Sequence, residues 1–213
     1  PRMTLNFDVH PNPRPRTAEQ RNAILADPGF GTRFTDHMAV ATWKGADGWH
    51  DSAVVPYAPF QLDPAAAILH YAQGVFEGLK AYRHPDGSIW LFRADRNAAR
   101  FQSSARRLGL PELAIGDFLG SIHSLVRADR DWVPDPAGGE ASLYLRPFMF
   151  GNDETLGLRT IQKARYVIIA SPVGSYYKEG INPVRIMIES EDVRAVKGGT
   201  GYAKCGGNYA ASN

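Results

Sequence analysis

Apolar runs over residues 37–43 and 49–56 flank Lys44-Gly45-Ala46-Asp47-Gly48, a pattern that predicts two strands joined by a short glycine-containing turn. A second hairpin is expected from residues 75–83 and 89–92 around the turn Pro85-Asp86-Gly87-Ser88. Between and after them lie helical segments with recognisable ends. Thr17-x-x-Gln20 forms a capping box ahead of a helix that Pro28-Gly29 ends. Asp63 followed by Pro64 predicts a short helix over residues 65–70. A longer helix over residues 95–108 stops at Gly109 and Pro111, and another covers residues 117–130. Residues 143–150, 164–171 and 184–189 read as strands from their β-branched and aromatic content. Helices interspersed with antiparallel hairpins argue for an α+β fold rather than a doubly wound parallel sheet.

Residues 174–183 mix Gly, Ser, Tyr and Pro between two strand-like runs, the composition of a connector between lobes. One lobe is therefore expected over residues 1–173 and the start of a second over 184–213. Those last residues are too few to fold alone, since domains below roughly 40 residues usually need staples. The chain is accordingly expected to be part of a longer protein, and the helix starting at Asn208 to lack its body.

Composition narrows the function classes. Among 213 residues, 24 basic and 22 acidic side chains are scattered along the chain, so no footprint for nucleic acid or an anionic membrane stands out. No apolar run approaches the ~20 residues needed to span a bilayer. The lone cysteine, Cys205, cannot pair internally, and no Cys/His spacing suggests a metal site. Small-molecule chemistry in a reducing cytoplasm fits these facts.

The candidate chemistry is concentrated in Gly198-Gly199-Thr200-Gly201-Tyr202-Ala203-Lys204-Cys205-Gly206-Gly207-Asn208-Tyr209, where five glycines surround one lysine. Glycine lets backbone pass close to a ligand, so such a lysine can be held against a bulky planar group. A solvated loop with an incidental lysine is the bland alternative. A phosphate loop of the G-x-x-x-x-G-K-[ST] type fails twice, because Ala203 replaces its last glycine and Cys205 its hydroxyl.

The segment resembles the PLP-lysine motif of branched-chain amino acid aminotransferases, fold type IV enzymes that use pyridoxal 5'-phosphate (PLP). Other stretches resemble the same family in the same order. These are Gly29-Phe30-Gly31 with Thr35-Asp36-His37-Met38; His70-Tyr71 with Val75-Phe76-Glu77-Gly78-Leu79-Lys80-Ala81-Tyr82; Leu91-Phe92-Arg93 with Asn97, Arg100 and Ser104-Ala105-Arg106-Arg107-Leu108; Leu143-Tyr144-Leu145-Arg146-Pro147; and Ser171-Pro172-Val173-Gly174-Ser175-Tyr176. The likeness implies a two-lobed fold with a small N-terminal lobe and part of a large PLP-binding lobe.

It further implies that Lys204 bonds to PLP and moves the substrate's α-proton, that Arg100 binds the cofactor's phosphate, and that Tyr209 donates to its phenolate oxygen. A guanidinium suits a phosphate dianion through its fork of donors. Phe30, Phe76 and Tyr144 would line the side-chain pocket, with Tyr71, Leu156 and Leu158 reaching in from the partner of a homodimer. Arg146, two residues from Tyr144 on one strand face, would help accept glutamate's distal carboxylate. Tyr176 is a further implied substrate contact, whereas Arg106 and Arg107 read as exposed helical arginines and Cys205 as inert. The implied reaction is transamination between leucine, isoleucine or valine and 2-oxoglutarate. A D-amino acid aminotransferase or an aminodeoxychorismate lyase on the same fold is the related alternative, and a non-catalytic fragment the alternative of another class.

Overall fold

The computed structural model describes residues 4–135, 139–174 and 182–210. The chain runs through β1 (Asp8–Val9), α1 (Ala18–Ala26), β2 (His37–Lys44), β3 (Gly48–Pro56), α2 (Ala67–Tyr71), β4 (Gly74–Phe76), β5 (Leu79–Arg83) and β6 (Ile89–Leu91). It continues through α3 (Ala94–Arg107), α4 (Ile115–Ala128), a 3-10 turn at Arg130–Trp132, β7 (Ser142–Gly151), β8 (Lys163–Val173) and the short α5 (Gly207–Ala210). The strands form one sheet in the order β1-β3-β2-β8-β7-β5-β6, with β4 also paired to β7. Among the described residues only β1 and β3 run parallel; the other pairings are antiparallel, as an α+β fold built from hairpins requires.

The register of β7 against β8 divides the sheet into two chemically different faces. Leu145 stands opposite Ala170, and Arg146 opposite Ile169. Because side chains alternate along a strand, Leu143, Leu145, Met149, Tyr166 and Ile168 share one face, while Tyr144, Arg146, Ile169 and Ser171 share the other. The apolar face is covered by helices. Phe101 from α3 and Phe118 from α4 both meet Tyr166, with ring centroids 5.7 and 6.3 Å away. Ala94, Ala98, Phe101 and Ala105 recur at helical spacing and are all buried, which seats α3 on this core. Tyr166 is wholly buried, so its phenol pKa is pushed far upward, and its hydroxyl is satisfied by Ser121 at 3.0 Å.

Local signals set the helix ends. The Gln20 N–H donates to Thr17 Oγ1 at 3.2 Å and the Thr17 N–H donates to Gln20 Oε1 at 3.0 Å, the expected capping box. α3 closes at Gly109, whose φ of +65° lets the Leu110 N–H return to the Ala105 carbonyl at 2.9 Å. At the start of β2, buried His37 meets buried Asp129 through Nδ1 at 2.6 Å.

Three expectations change. The Asp63 carboxylate accepts from the Ala65 N–H at 2.7 Å, but Ala66 stays extended, so α2 begins at Ala67. Residues 75–83 do not form one strand: the chain breaks at Glu77-Gly78, where the Glu77 side chain turns into the interior. Residues 184–189 form no strand and lie exposed, with Ile188 91% accessible. No described strand pairs with them, and extended backbone becomes a strand only when its N–H and C=O groups find a ladder. Most of the expected connector, residues 175–181, lies outside the described residues, and Tyr176 with it. Among the described residues no helix is long and apolar enough to cross a membrane.

Candidate active site

The lysine segment is clamped between β4 and α3. Along β4, the Phe76 N–H donates to the Lys204 carbonyl at 3.0 Å, and Val75 pairs with Cys205 as an isolated bridge. From α3, Ser104 Oγ accepts the Lys204 N–H at 2.9 Å, and Arg107 Nη2 donates to the Gly199 carbonyl at 3.2 Å. Inside the loop, buried Asn208 donates to the carbonyls of Thr200 and Ala203, both at 2.8 Å, and accepts from Thr200 Oγ1 at 2.8 Å. Gly198 needs its φ of +81°, and a Cβ at Gly201 would stand 2.8 Å from the Ala195 methyl. The glycines thus shape a fixed turn, against the bland reading of a solvated loop.

Lys204 projects its amine into an open cleft of about 210 Å³ lined by Arg100, Arg194, Gly201, Tyr202, Ala203 and Tyr209. Its Nζ donates to Tyr209 Oη at 2.8 Å and lies 4.6 Å from the centre of the Phe76 ring. Arg100 is held by Glu77: Nε donates to Oε1 at 2.5 Å and Nη2 to Oε2 at 2.8 Å. This carboxylate raises the arginine's pKa, so the guanidinium is a permanent cation at the cleft.

The expected pocket residues gather on the polar face of the sheet. Phe30 packs on Tyr144 with centroids 5.8 Å apart, and Phe34, Ile169 and Ser171 complete a cavity of about 170 Å³ with Arg146. Arg146 Nη2 donates to Tyr144 Oη at 2.9 Å, and its guanidinium carbon lies 4.8 Å from the Phe76 ring centre. Phe76 in turn meets Tyr209 edge-on at 5.0 Å. A continuous wall therefore runs from Phe30 through Tyr144, Arg146 and Phe76 to Lys204. Gly78 admits this wall, since a Cβ there would overlap the Tyr144 hydroxyl at 2.2 Å.

Tyr71, Leu156 and Leu158 do not line this cleft. They sit on the surface, where the Tyr71 hydroxyl donates to the Leu156 carbonyl and the two leucines are 65% and 83% exposed. Cys205 is buried, only 2% exposed, which shields its thiol. Arg106 pairs with Glu112 at 2.7 Å, as a surface helix residue does, but Arg107 is not idle: it ties α3 to the lysine loop. The sequence reading gave no role to Glu77, Ser104, Arg107, Asn208 or Arg194. A signal for part of this set exists, because Asn97, Arg100, Ser104 and Arg107 recur at intervals of three, four and three, a second stripe on α3 beside the apolar one.

No family model matches the chain. It is 53% identical over 209 residues to the "probable branched-chain-amino-acid aminotransferase" of Streptomyces coelicolor, covering 98% of this chain and 58% of that protein. It is 55% identical over 208 residues to the branched-chain-amino-acid aminotransferase of Mycolicibacterium smegmatis, covering 98% and 56%. The chain thus spans a little over half the length of these curated relatives. Among solved structures, the T.th. branched-chain amino acid aminotransferase with pyridoxamine 5'-phosphate superposes at a TM-score of 0.63 and 27% identity, covering 82% of this chain and 53% of that one. The enzyme of Thermoproteus uzoniensis with norvaline gives 0.62 and 26%, covering 83% and 54%. In both sequence and fold, then, the chain is similar to the N-terminal portion of branched-chain amino acid aminotransferases, enzymes of fold type IV.

Proposed function

We propose that this chain carries part of the active site of a PLP-dependent transaminase that exchanges the amino group between branched-chain L-amino acids and 2-oxoglutarate. The observation that carries the reading is the placement of Lys204 Nζ, 2.8 Å from a tyrosine hydroxyl in a cleft that also holds an obligate cation. That donor set fits PLP: an amine for the aldehyde, a hydroxyl for the ring oxygen and a guanidinium for the phosphate. When bound, the cofactor supplies an electron sink for negative charge at the substrate's α-carbon.

The chain's own groups do the rest. Lys204 would hold the cofactor through Nζ, and the same amine is the group placed to take the substrate's α-proton. Tyr209 would offer its hydroxyl to the ring oxygen. Arg100, with Nε and Nη2 engaged by Glu77, has its Nη1 donors left for a phosphate oxygen. Phe30, Phe76 and Tyr144 enclose a branched side chain, whose burial is worth ~0.8 kcal/mol per CH₂. Arg146 Nε is buried and has no hydrogen-bond partner among the described residues, which supports its use as a donor to the distal carboxylate of glutamate.

Tyr71, Leu156 and Leu158 are assigned to the pocket of a second copy in a homodimer. Their exposure on this chain supports that assignment, since exposed apolar clusters mark interaction surfaces. We also take Tyr176 as a substrate contact, residues 1–173 as the small lobe, 174–183 as the connector and 184–213 as the start of the PLP lobe. The cytoplasm, where an unpaired thiol persists, is the assigned compartment.

The test uses the full-length protein loaded with PLP. With no amino acceptor present, L-leucine is expected to yield one equivalent of 2-oxo acid per cofactor, and D-alanine none. Turnover of D-alanine in preference to L-leucine refutes the substrate class, and no oxo acid from either refutes the reaction.

A further inference from the structure

Among the described residues, Glu77 is the one wholly buried carboxylate beside this cleft, and four N–H donors converge on it. Arg100 Nε reaches Oε1, while Arg100 Nη2, Asn97 Nδ2 at 2.8 Å and the Gly78 N–H at 3.2 Å reach Oε2. Its own backbone N–H is fixed to the Pro147 carbonyl of β7 at 2.7 Å. An arginine side chain on a helix surface samples many rotamers, and ordering it costs up to ~2 kcal/mol of entropy. Here two parallel charge-assisted bonds hold one edge of the guanidinium plane and fix the direction in which the remaining Nη1 donors point. From this geometry we infer that Glu77 is a positioning residue for the cofactor's phosphate, acting through Arg100 and braced by Asn97.

The inference rests on the assignment of Arg100 to the phosphate. It also meets an opposing effect, because Glu77 cancels much of the charge Arg100 offers an anion. Fixed direction outweighs lost charge here, since half of the Arg100 side chain is in solvent, where water screens the Coulomb attraction but does not orient the donors.

Glutamine in place of Glu77 keeps the shape and removes the fit. Whichever way its amide is turned, an NH₂ faces at least one of the four donors. The measurement is the equilibrium dissociation constant of PLP and of pyridoxal, which lacks the phosphate, for the full-length apoprotein and its variants. In Glu77→Gln the PLP constant is expected to rise on the order of tenfold, the loss of one charge-assisted hydrogen bond, with pyridoxal moved less than about twofold. Asn97→Ala, which removes only the brace, is expected to give the same selective loss at roughly threefold.

Equal weakening of both ligands shows a merely structural role and overturns the inference; so does tighter PLP binding, which would mean that lost charge outweighs fixed direction. If Glu77→Gln does not fold, the Asn97→Ala ratio decides alone, and an unchanged ratio counts against us. The underlying assignment is read separately, from unsubstituted protein. Should that protein hold pyridoxal as tightly as PLP, the phosphate role of Arg100 falls, and this inference with it.

Discussion

Replacing Asn208 by alanine should loosen the lysine loop without loosening the sheet. The side chain is 2% exposed and makes three bonds of 2.8 Å, donating to the carbonyls of Thr200 and Ala203 and accepting from the Thr200 hydroxyl. Each such bond contributes ~0.5–1.5 kcal/mol net, and more when a buried partner is left without one. Losing all three, with the Thr200 hydroxyl left without its acceptor while the two carbonyls keep the Ala203 and Cys205 N–H groups, should favour local opening by roughly 2–4 kcal/mol. At 1.4 kcal/mol per factor of ten, amide protection in residues 199–206 should fall by about 30-fold to several hundred-fold. Hydrogen exchange with mass spectrometry on the full-length protein reads this directly, with peptides from β7 and β8 as internal controls. Asn208→Asp sharpens the test: it retains an acceptor for Thr200 but aims a carboxylate oxygen at two carbonyl oxygens, so it should be at least as damaging. Unchanged protection in the loop, or an aspartate variant that behaves like wild type, would show that Asn208 does not hold the loop.

Arg146→Met should raise the KM for glutamate about tenfold or more while leaving leucine within a few-fold, since only the acidic substrate loses a charge-assisted donor; equal changes for both substrates would remove Arg146 from carboxylate binding. Phe101→Ala empties the contact among α3, α4 and Tyr166 and should cost roughly 3–5 kcal/mol in chemical denaturation; a loss below about 1 kcal/mol would mean that the helices seat elsewhere. For His37, the hydrogen bond to Asp129 raises the pKa above 6.5 and burial opposes it. The Asn12 N–H donating to Nε2 at 3.1 Å also favours the neutral ring, but that longer contact is weaker than a 2.6 Å bond to a buried carboxylate. A raised folded pKa means that the stabilisation is fully present below 6.5 and is lost as pH climbs through the folded value. The stability gap between wild type and His37→Gln should therefore shrink on that upward limb, and a gap that widens would reverse the sign.

Elements whose signals are local were legible in the sequence. The capping box at Thr17 and Gln20, the Gly109 stop of α3, the first hairpin and the turn of the second depend on a few neighbouring residues, and the structure has them where the pattern indicates, though the second hairpin begins only at Leu79. The α2 start was misplaced because an aspartate can bond the N–H two residues on without starting a helix, and Asp63 does so. Residues 184–189 have the composition of a strand, yet pairing is a property of a partner that composition does not reveal. In the site, resemblance pointed to Lys204, Tyr209 and the aromatic wall, which the structure brings together. It did not reveal Glu77. A single acidic residue after an apolar strand looks like the onset of a turn, and only the fold shows it receiving Arg100 and Asn97 from a helix about twenty residues onward.

The claim that Lys204 is the lysine that bears the cofactor is tested most directly by chemical trapping. Full-length protein incubated with PLP and reduced with borohydride should carry the cofactor's mass on the peptide containing Lys204, and that label should vanish in Lys204→Ala. A stable label on Lys80, Lys163 or Lys197 instead, or no labelled peptide at all, would contradict the account.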